Sequence, residues 1–249
     1  MTLDLRYGLS EKLEAGLDVP YLSLSRGYLD EFVERFEDTV GATTPRSRAR
    51  QGSYNLNYSF IYNSQSLIKR TNASDGLGDI VLKAKYQISK EDENGFWPNA
   101  SFRAAVKLPT GEKRSLLGSG EIDYGFGVLL DKTFSEKITV YTGCNFVIIE
   151  KPSFFSVLNL KRNIISGLLG VEYLLTQRFS IVVQATGNTT PYPSSGTNAL
   201  DESAIDLGLG VNYRFKEKEN VSWHFAFTEN VNSASSPDVS LDAGFNVGF

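Results

Sequence analysis

Strict alternation of apolar and polar side chains constrains this chain more than any other feature, because a strand, with its two-residue period, sorts such a sequence onto two opposite faces. In "AIDLGLGVNYRF", Ile205, Leu207, Leu209, Val211, Tyr213 and Phe215 fall on one face, and Asp206, Gly208, Gly210, Asn212 and Arg214 on the other. "EIDYGFGVLL" sets Ile122, Tyr124, Phe126, Val128 and Leu130 against Asp123, Gly125, Gly127 and Leu129. "DIVLKAKYQI" sets Ile80, Leu82, Ala84, Tyr86 and Ile88 against Asp79, Val81, Lys83, Lys85 and Gln87. The ending "VSLDAGFNVGF" keeps the pattern to its last residue, with Val239, Leu241, Ala243, Phe245, Val247 and Phe249 on one side. Segments 2–10, 13–24, 99–109, 138–150, 164–175, 179–190 and 221–230 read the same way, which makes eleven strands.

Alternation alone fits two architectures. In a soluble sandwich the apolar face is the core; in a membrane barrel it meets lipid and the polar face lines the lumen. Three features favour the barrel. Glycines (Gly125, Gly127, Gly208, Gly210, Gly244, Gly248) collect on the polar face, where they suit a crowded interior and weaken a solvent-facing strand. Aromatic residues (Tyr7, Tyr21, Tyr86, Phe134, Tyr213, Phe215, Phe249) stand on the apolar face near strand ends, as an interfacial girdle requires. Strands of roughly 10–13 residues match a tilted bilayer crossing rather than the ~5–6 residues usual in soluble proteins.

Composition is compatible with this reading and excludes others. A hydrophobic share of 41%, 22% charged residues and a mean hydropathy of −0.20 would pass for a soluble protein, yet barrel strands average to the same mild values. No apolar run is long enough for a membrane-spanning helix. A net charge of −4 offers no basic footprint for nucleic acid. The single cysteine, Cys144, can form neither an internal disulfide nor a zinc cluster, and one cysteine with one histidine makes a transition-metal site a poor fit. No cofactor is expected, and no metal. "DGLGD" at 75–79 and "GSGEID" at 118–123 match neither a calcium loop nor a phosphate loop, and read as strand-entry turns.

The connections alternate between short and long, as in outer-membrane barrels. Short ones fall at 10–12, 135–137, 176–178 and 216–220, with a moderate one at "KEDENGFWP"; long ones span 25–77, 110–120, 151–163, "PYPSSGTNALDES" and "NVNSASSPD". Within 25–77, taken as an extracellular loop, Leu29, Phe32, Val33, Phe36 and Val40 are spaced for an amphipathic helix over about 28–40 closed by Gly41. "SYNLNYSFIYNSQSLIKR" reads as a hairpin over about 54–70, turning near Asn63 and Ser64. The fold class expected is all-β: one transmembrane antiparallel up-and-down β-barrel of about twelve strands over residues 1–249. Eleven strands ending in the periplasm put the first strand's start outside the cell, and single-chain bacterial barrels have even strand numbers. The count therefore predicts a further strand and a signal peptide upstream of Met1, since "MTLDLRYGL" has no signal-peptide character.

The polar faces supply the candidate functional residues. Arg6, Asp79, Lys83, Lys85, Arg103, Lys107, Asp123, Glu172, Asp206, Arg214, His224 and Asp242 all project to the lumen under the alternation, with Asp4, Glu14 and Asp18 beside them. Both signs are present, and charges in a narrow barrel must be paired or wetted. They either line a watered passage or close into an ion-paired plug. His224 in "VSWHFAFT" is the one candidate for nucleophilic chemistry, with Ser166, Ser180 or Ser222 also facing inward, but a triad needs convergence that the sequence does not supply. Phe245, Val247 and Phe249 resemble the terminal-aromatic signal by which bacterial barrels are recognised for assembly.

The chain also resembles a known family. "LRYGLSEKLEAGLDVPYLSLSRGYLDEFVERFEDTVG", "DGLGDIVLKAKYQI", "KLPTG" and "GSGEIDYGFGVLL" are similar, in order, to the signatures of the bacterial outer-membrane proteins known as domain of unknown function 3187. The resemblance covers nearly the whole chain and implies an outer-membrane location, a signal peptide and an upstream strand; Glu37 departs from it at a position where histidine is implied. It implies no activity. The expected function is a non-enzymatic, porin-like conduit, passive or gated, for small polar solutes, with outer-membrane lipids and the barrel-assembly machinery as partners. A closed barrel with a structural or surface-interaction role, and a lipid-modifying barrel enzyme using His224, are the alternatives.

Overall fold

The computed structural model describes residues 1–25, 35, 39, 56, 58–91, 95–192, 198–215, 220–232 and 239–248. Its strands are β1 (Thr2–Gly8), β2 (Leu13–Leu24), β3 (Tyr58–Tyr62), β4 (Gln65–Arg70), β5 (Ser74–Leu77), β6 (Val81–Ser89) and β7 (Asn99–Lys107). They continue with β8 (Asp123–Phe134), β9 (Ile138–Ile148), β10 (Asn163–Leu174), β11 (Phe179–Asn188), β12 (Ala204–Arg214), β13 (Val221–Asn230) and β14 (Val239–Val247). One antiparallel sheet runs β1-β2-β6-β7 and onward in chain order to β14, with β5 pairing beside β6 on the far half of β2. Each main strand pairs with its successor along the chain. β3 and β4 form a separate hairpin.

The turns explain the register. Asn63 and Ser64 in the β3–β4 hairpin, and Ser135 and Glu136 between β8 and β9, take positive φ in succession (47° and 62°; 52° and 57°). In the two-residue β3–β4 loop the paired left-handed residues match the hairpin twist and lock one pairing, while the β8–β9 loop is one residue longer. The ends of β1, β6, β8, β10 and β12 from which the short connections leave lie at one end of the sheet, and the strand ends that flank the long connections at the other.

Exposure distinguishes the two architectures left open by periodicity. Leu82, Phe126, Leu169, Leu207, Leu209 and Leu241 each expose 43–58% of their surface, whereas the buried apolar residues among those described are Leu117, Leu158 and Ala204. A sandwich buries one face of each sheet. Here the apolar face is turned outward along the sheet, and the polar face is concave: side chains from β1, β2 and β6 through β10 line one common cavity. At the short-turn end the outer face carries Tyr7, Tyr86, Phe134, Tyr173, Tyr213 and Phe215, all exposed, with Tyr213 and Phe215 edge-to-face at 5.3 Å.

Three expectations need adjustment. The eleven strands are present, but no ladder joins β1 to β14 among the described residues, so the barrel of about twelve strands is seen as an open up-and-down sheet. The stretch "SDGL" is not wholly loop: Ser74–Leu77 is β5, because β2 is long enough to pair both with it and with β6. The helix expected over 28–40, and Glu37 with it, lies outside the described residues except for Arg35 and Thr39, both helical, with the Thr39 hydroxyl donating to the Arg35 carbonyl at 2.7 Å. No described helix is long and apolar enough to cross a membrane.

Leu209 sits mid-strand on the outer face, opposite Val183 and Phe227. Leu209→Arg should cost about 2–4 kcal/mol of unfolding free energy in lipid vesicles, measured by denaturant titration. A loss within about 0.5 kcal/mol, ordinary for a water-exposed surface, would contradict a lipid-facing wall.

Candidate functional site

The concave wall is built from cross-strand belts. Arg103 on β7, Gly127 on β8, Asn145 on β9 and Ser166 on β10 are directly in register. The Arg103 guanidinium reaches across β8 to donate to Asn145 Oδ1 from Nε (2.8 Å) and Nη2 (2.5 Å), and Asn145 Nδ2 donates to Ser166 Oγ at 3.0 Å. This crossing needs a glycine beneath it. A Cβ at Gly127 would collide with Asn145 Oδ1 and stand 3.1 Å from Arg103 Nε.

Next to this belt, Lys83 Nζ bridges Asp18 (2.5 Å) and Asp4 (3.2 Å), Arg6 pairs with Asp4 at 2.6 Å, and Lys85 pairs with Glu14 at 3.3 Å. Their registers explain the matches, since Asp4 faces Asp18, and Gly16 faces both Arg6 and Lys83. These side chains keep 25–57% of their surface exposed, so they are wetted ion pairs rather than a dry core. With Arg103, Asn145 and Ser166, several of them line a cavity of about 340 Å³.

At the long-loop end Lys107 pairs with Asp123 and, at 3.5 Å, with Asp79, and donates to Ser119 Oγ at 2.6 Å. Asp79 is the hub. Its Oδ1 accepts from Gly111 N and its Oδ2 from Ser119 N, both at 2.9 Å, and its side chain is only 8% exposed. Thr110 Oγ1 accepts from Ile80 N and donates to the Gly78 carbonyl. "DGLGD", "KLPTG" and "GSGEID" thus form one knot that folds the 108–122 connection onto the wall. The expectation of simple strand-entry turns missed this because Asp79 lies 32 and 40 residues from the backbone groups it holds.

A collar stands above the knot. Arg70 donates to the Arg114 carbonyl at 2.7 Å, Ser74 to the Ser115 carbonyl at 2.9 Å, and Lys113 to Ser153 Oγ at 2.5 Å, with the same ammonium 5.6 Å over the Phe154 ring. Phe60 of the β3–β4 hairpin packs against Phe155 (5.1 Å) and Tyr192 (6.2 Å), and burial pushes the Tyr192 phenol pKa up. Beneath the hairpin a second cavity, about 430 Å³, is lined by Lys69, Arg70, Lys113 and Arg114 with Leu116 and Phe154.

Toward the short turns Glu172 gathers hydrogen bonds from Tyr141, from Ser180 at 2.5 Å and from Asn212 at 3.2 Å. Asp206 accepts from Asn230 at 2.7 Å, and Arg214 ends β12 exposed. His224 Nε2 is 2.8 Å from Asp242 Oδ1, lying over Gly244, where a Cβ would come within 2.6 Å of its Cε1. Among the described residues no serine hydroxyl is hydrogen-bonded to His224, and the Ser180 hydroxyl donates to Glu172 instead. Nor does any described group of three or more His, Cys, Asp or Glu residues suit a metal ion. Phe245 and Val247 point outward and are exposed, while Phe249 lies outside the described residues.

Comparison with known proteins gives a family and a fold. The model of the family described as "Protein of unknown function (DUF3187)" matches residues 1–249. No curated protein matches. Among solved structures the chain is similar to the COG4313 outer membrane channel from Pseudomonas putida F1, at 14% identity and a TM-score of 0.64, covering 99% of this chain and 82% of that one. It is also similar to the NanC porin, at 9% identity and a TM-score of 0.50, covering 99% of this chain and 97% of that one.

Asp79→Ala removes the acceptor for two backbone N–H groups of the 108–122 connection. Hydrogen bonds to charged groups are worth about 1.5–3 kcal/mol, so trypsin should cut after Lys113 or Arg114 roughly tenfold or more faster than in the unmodified protein. Equal cleavage rates would show that Asp79 does not hold this segment.

Proposed function

Since this chain belongs to the DUF3187 family and has the fold of outer-membrane barrels, we propose that it is an outer-membrane channel that passes small polar solutes. The observation that carries the reading is the pairing of an exposed apolar outer wall with a concave face of partly exposed, ion-paired side chains around a cavity. Lipid answers the first and water the second. A side-chain-filled plug would desolvate Lys83, Lys85, Asp4 and Glu14, which instead keep 28–39% exposure. In this reading Arg6, Asp79, Lys83, Lys85, Arg103, Lys107, Asp123, Glu172, Asp206, Arg214, His224 and Asp242 line the pore, and the charges bias which solutes cross. Phe245, Val247 and Phe249 serve as the signal read by the barrel-assembly machinery.

Purified protein in planar bilayers should give discrete conductance steps. Lys107→Ala leaves Asp79 and Asp123 without their shared cation, so it should raise the potassium-to-chloride permeability ratio severalfold above that of the unmodified protein, whichever ion that protein prefers, in reversal-potential measurements. Absence of steps in protein that is folded in the membrane would favour a closed, structural barrel.

A further inference from the structure

Charge is distributed unevenly over the two cavities. The chain as a whole is acidic, at −4, yet the inner cavity is lined by Arg6, Lys83, Lys85 and Arg103 against Glu14, and the cavity under the hairpin by Lys69, Arg70, Lys113 and Arg114. Inside, three carboxylates (Asp4, Asp18, Glu14) answer Arg6, Lys83 and Lys85. Arg103 has no carboxylate among its described contacts. Asn145, a neutral acceptor, takes its Nε and one Nη2 hydrogen, which fixes the guanidinium flat against the wall over Gly127. A guanidinium carries five N–H donors in a rigid fork; among the described residues the second edge, Nη1 with Nη2, has no hydrogen-bond partner beyond Asn145, and Arg103 lines the cavity. In the outer cavity, among the described residues, the four cations make one ion pair, Lys113 to Glu121 at 3.6 Å, while Arg70 donates to the carbonyls of Asn72 and Arg114.

We propose that the pore selects small carboxylate anions, gathered by the outer basic cavity and bound in transit by the free edge of Arg103. A planar carboxylate fits that edge with two parallel hydrogen bonds, a geometry an ammonium could not offer. The fixed orientation set by Asn145 lowers the cost of forming them. Water in the cavity keeps the contact weak enough for release. The two cavities lie along one stretch of chain: Lys113 and Arg114 of the β7–β8 connection line the outer one, and Arg103 and Gly125, on the strands it joins, line the inner.

The inference rests on the channel reading and is tested separately from it. In planar bilayers with a KCl gradient, the unmodified protein should prefer chloride over potassium by about threefold or more near 0.1 M salt, and the preference should fade at 1 M as the Debye length falls from roughly 10 Å to 3 Å. Potassium acetate added at constant ionic strength should interrupt the chloride current, and Arg103→Gln should abolish both the preference and the acetate effect. The acetate titration of the unmodified protein decides the matter if that variant does not fold. Steps with a potassium preference, or acetate without effect, would overturn this inference and leave the channel standing; no steps at all would overturn both.

Discussion

Everything in this structure depends on satisfying the backbone inside a ladder while its two faces meet opposite media. In a bilayer each unpaired N–H or C=O costs several kcal/mol, so a spanning sheet must pair strand to strand without interruption. Eleven strands do this in chain order, with β3 to β5 inserted between β2 and β6. A slip of one residue would exchange the walls, placing Leu207 and Leu209 where Asp206 and Gly208 now stand. The register is therefore specified by hydration as much as by turn geometry. The free edges of the sheet, on β1 and β14, are where the described ladder ends.

The second consequence is a wall that is coated rather than filled. Long polar side chains on the concave face lie across neighbouring strands instead of pointing to the centre, and glycine is the residue that lets them. Gly127 carries Arg103 and Asn145, and Gly244 carries His224. Not every glycine has this role: Gly125 has only ordinary neighbours within 4 Å and opens onto the cavity instead. Side chains laid flat keep their charges paired along the wall and leave a cavity of about 340 Å³ in front of it.

Much of the fold was legible because period-2 patterning is a local signal. The bounds of β2 and β13 coincide with those read from alternation, and the Asn63–Ser64 turn falls where the hairpin pattern places it. The site was legible only as a set of residues. Which carboxylate meets which cation depends on register across strands, and sequence alone gives no register: Asn145 was overlooked although it occupies a polar-face position, because its importance comes from lying two strands from Arg103 across a glycine. The knot around Asp79 escaped for the same reason. Its three glycine-containing pieces are separated by up to 40 residues, and their contacts are mainly to backbone N–H groups, which every residue but proline carries.

The central claim is that the concave face is wetted and the outer face is in lipid. Labelling of single cysteines in membrane vesicles by a membrane-impermeant maleimide tests it most directly. With Cys144→Ser as the background, Ala105→Cys and Ser166→Cys, both lining the inner cavity, should react, and Leu169→Cys and Leu207→Cys, on the exposed apolar face, should not. Equal reaction at all four positions would contradict the lipid-facing wall, and protection of Ala105→Cys and Ser166→Cys would contradict the watered lumen.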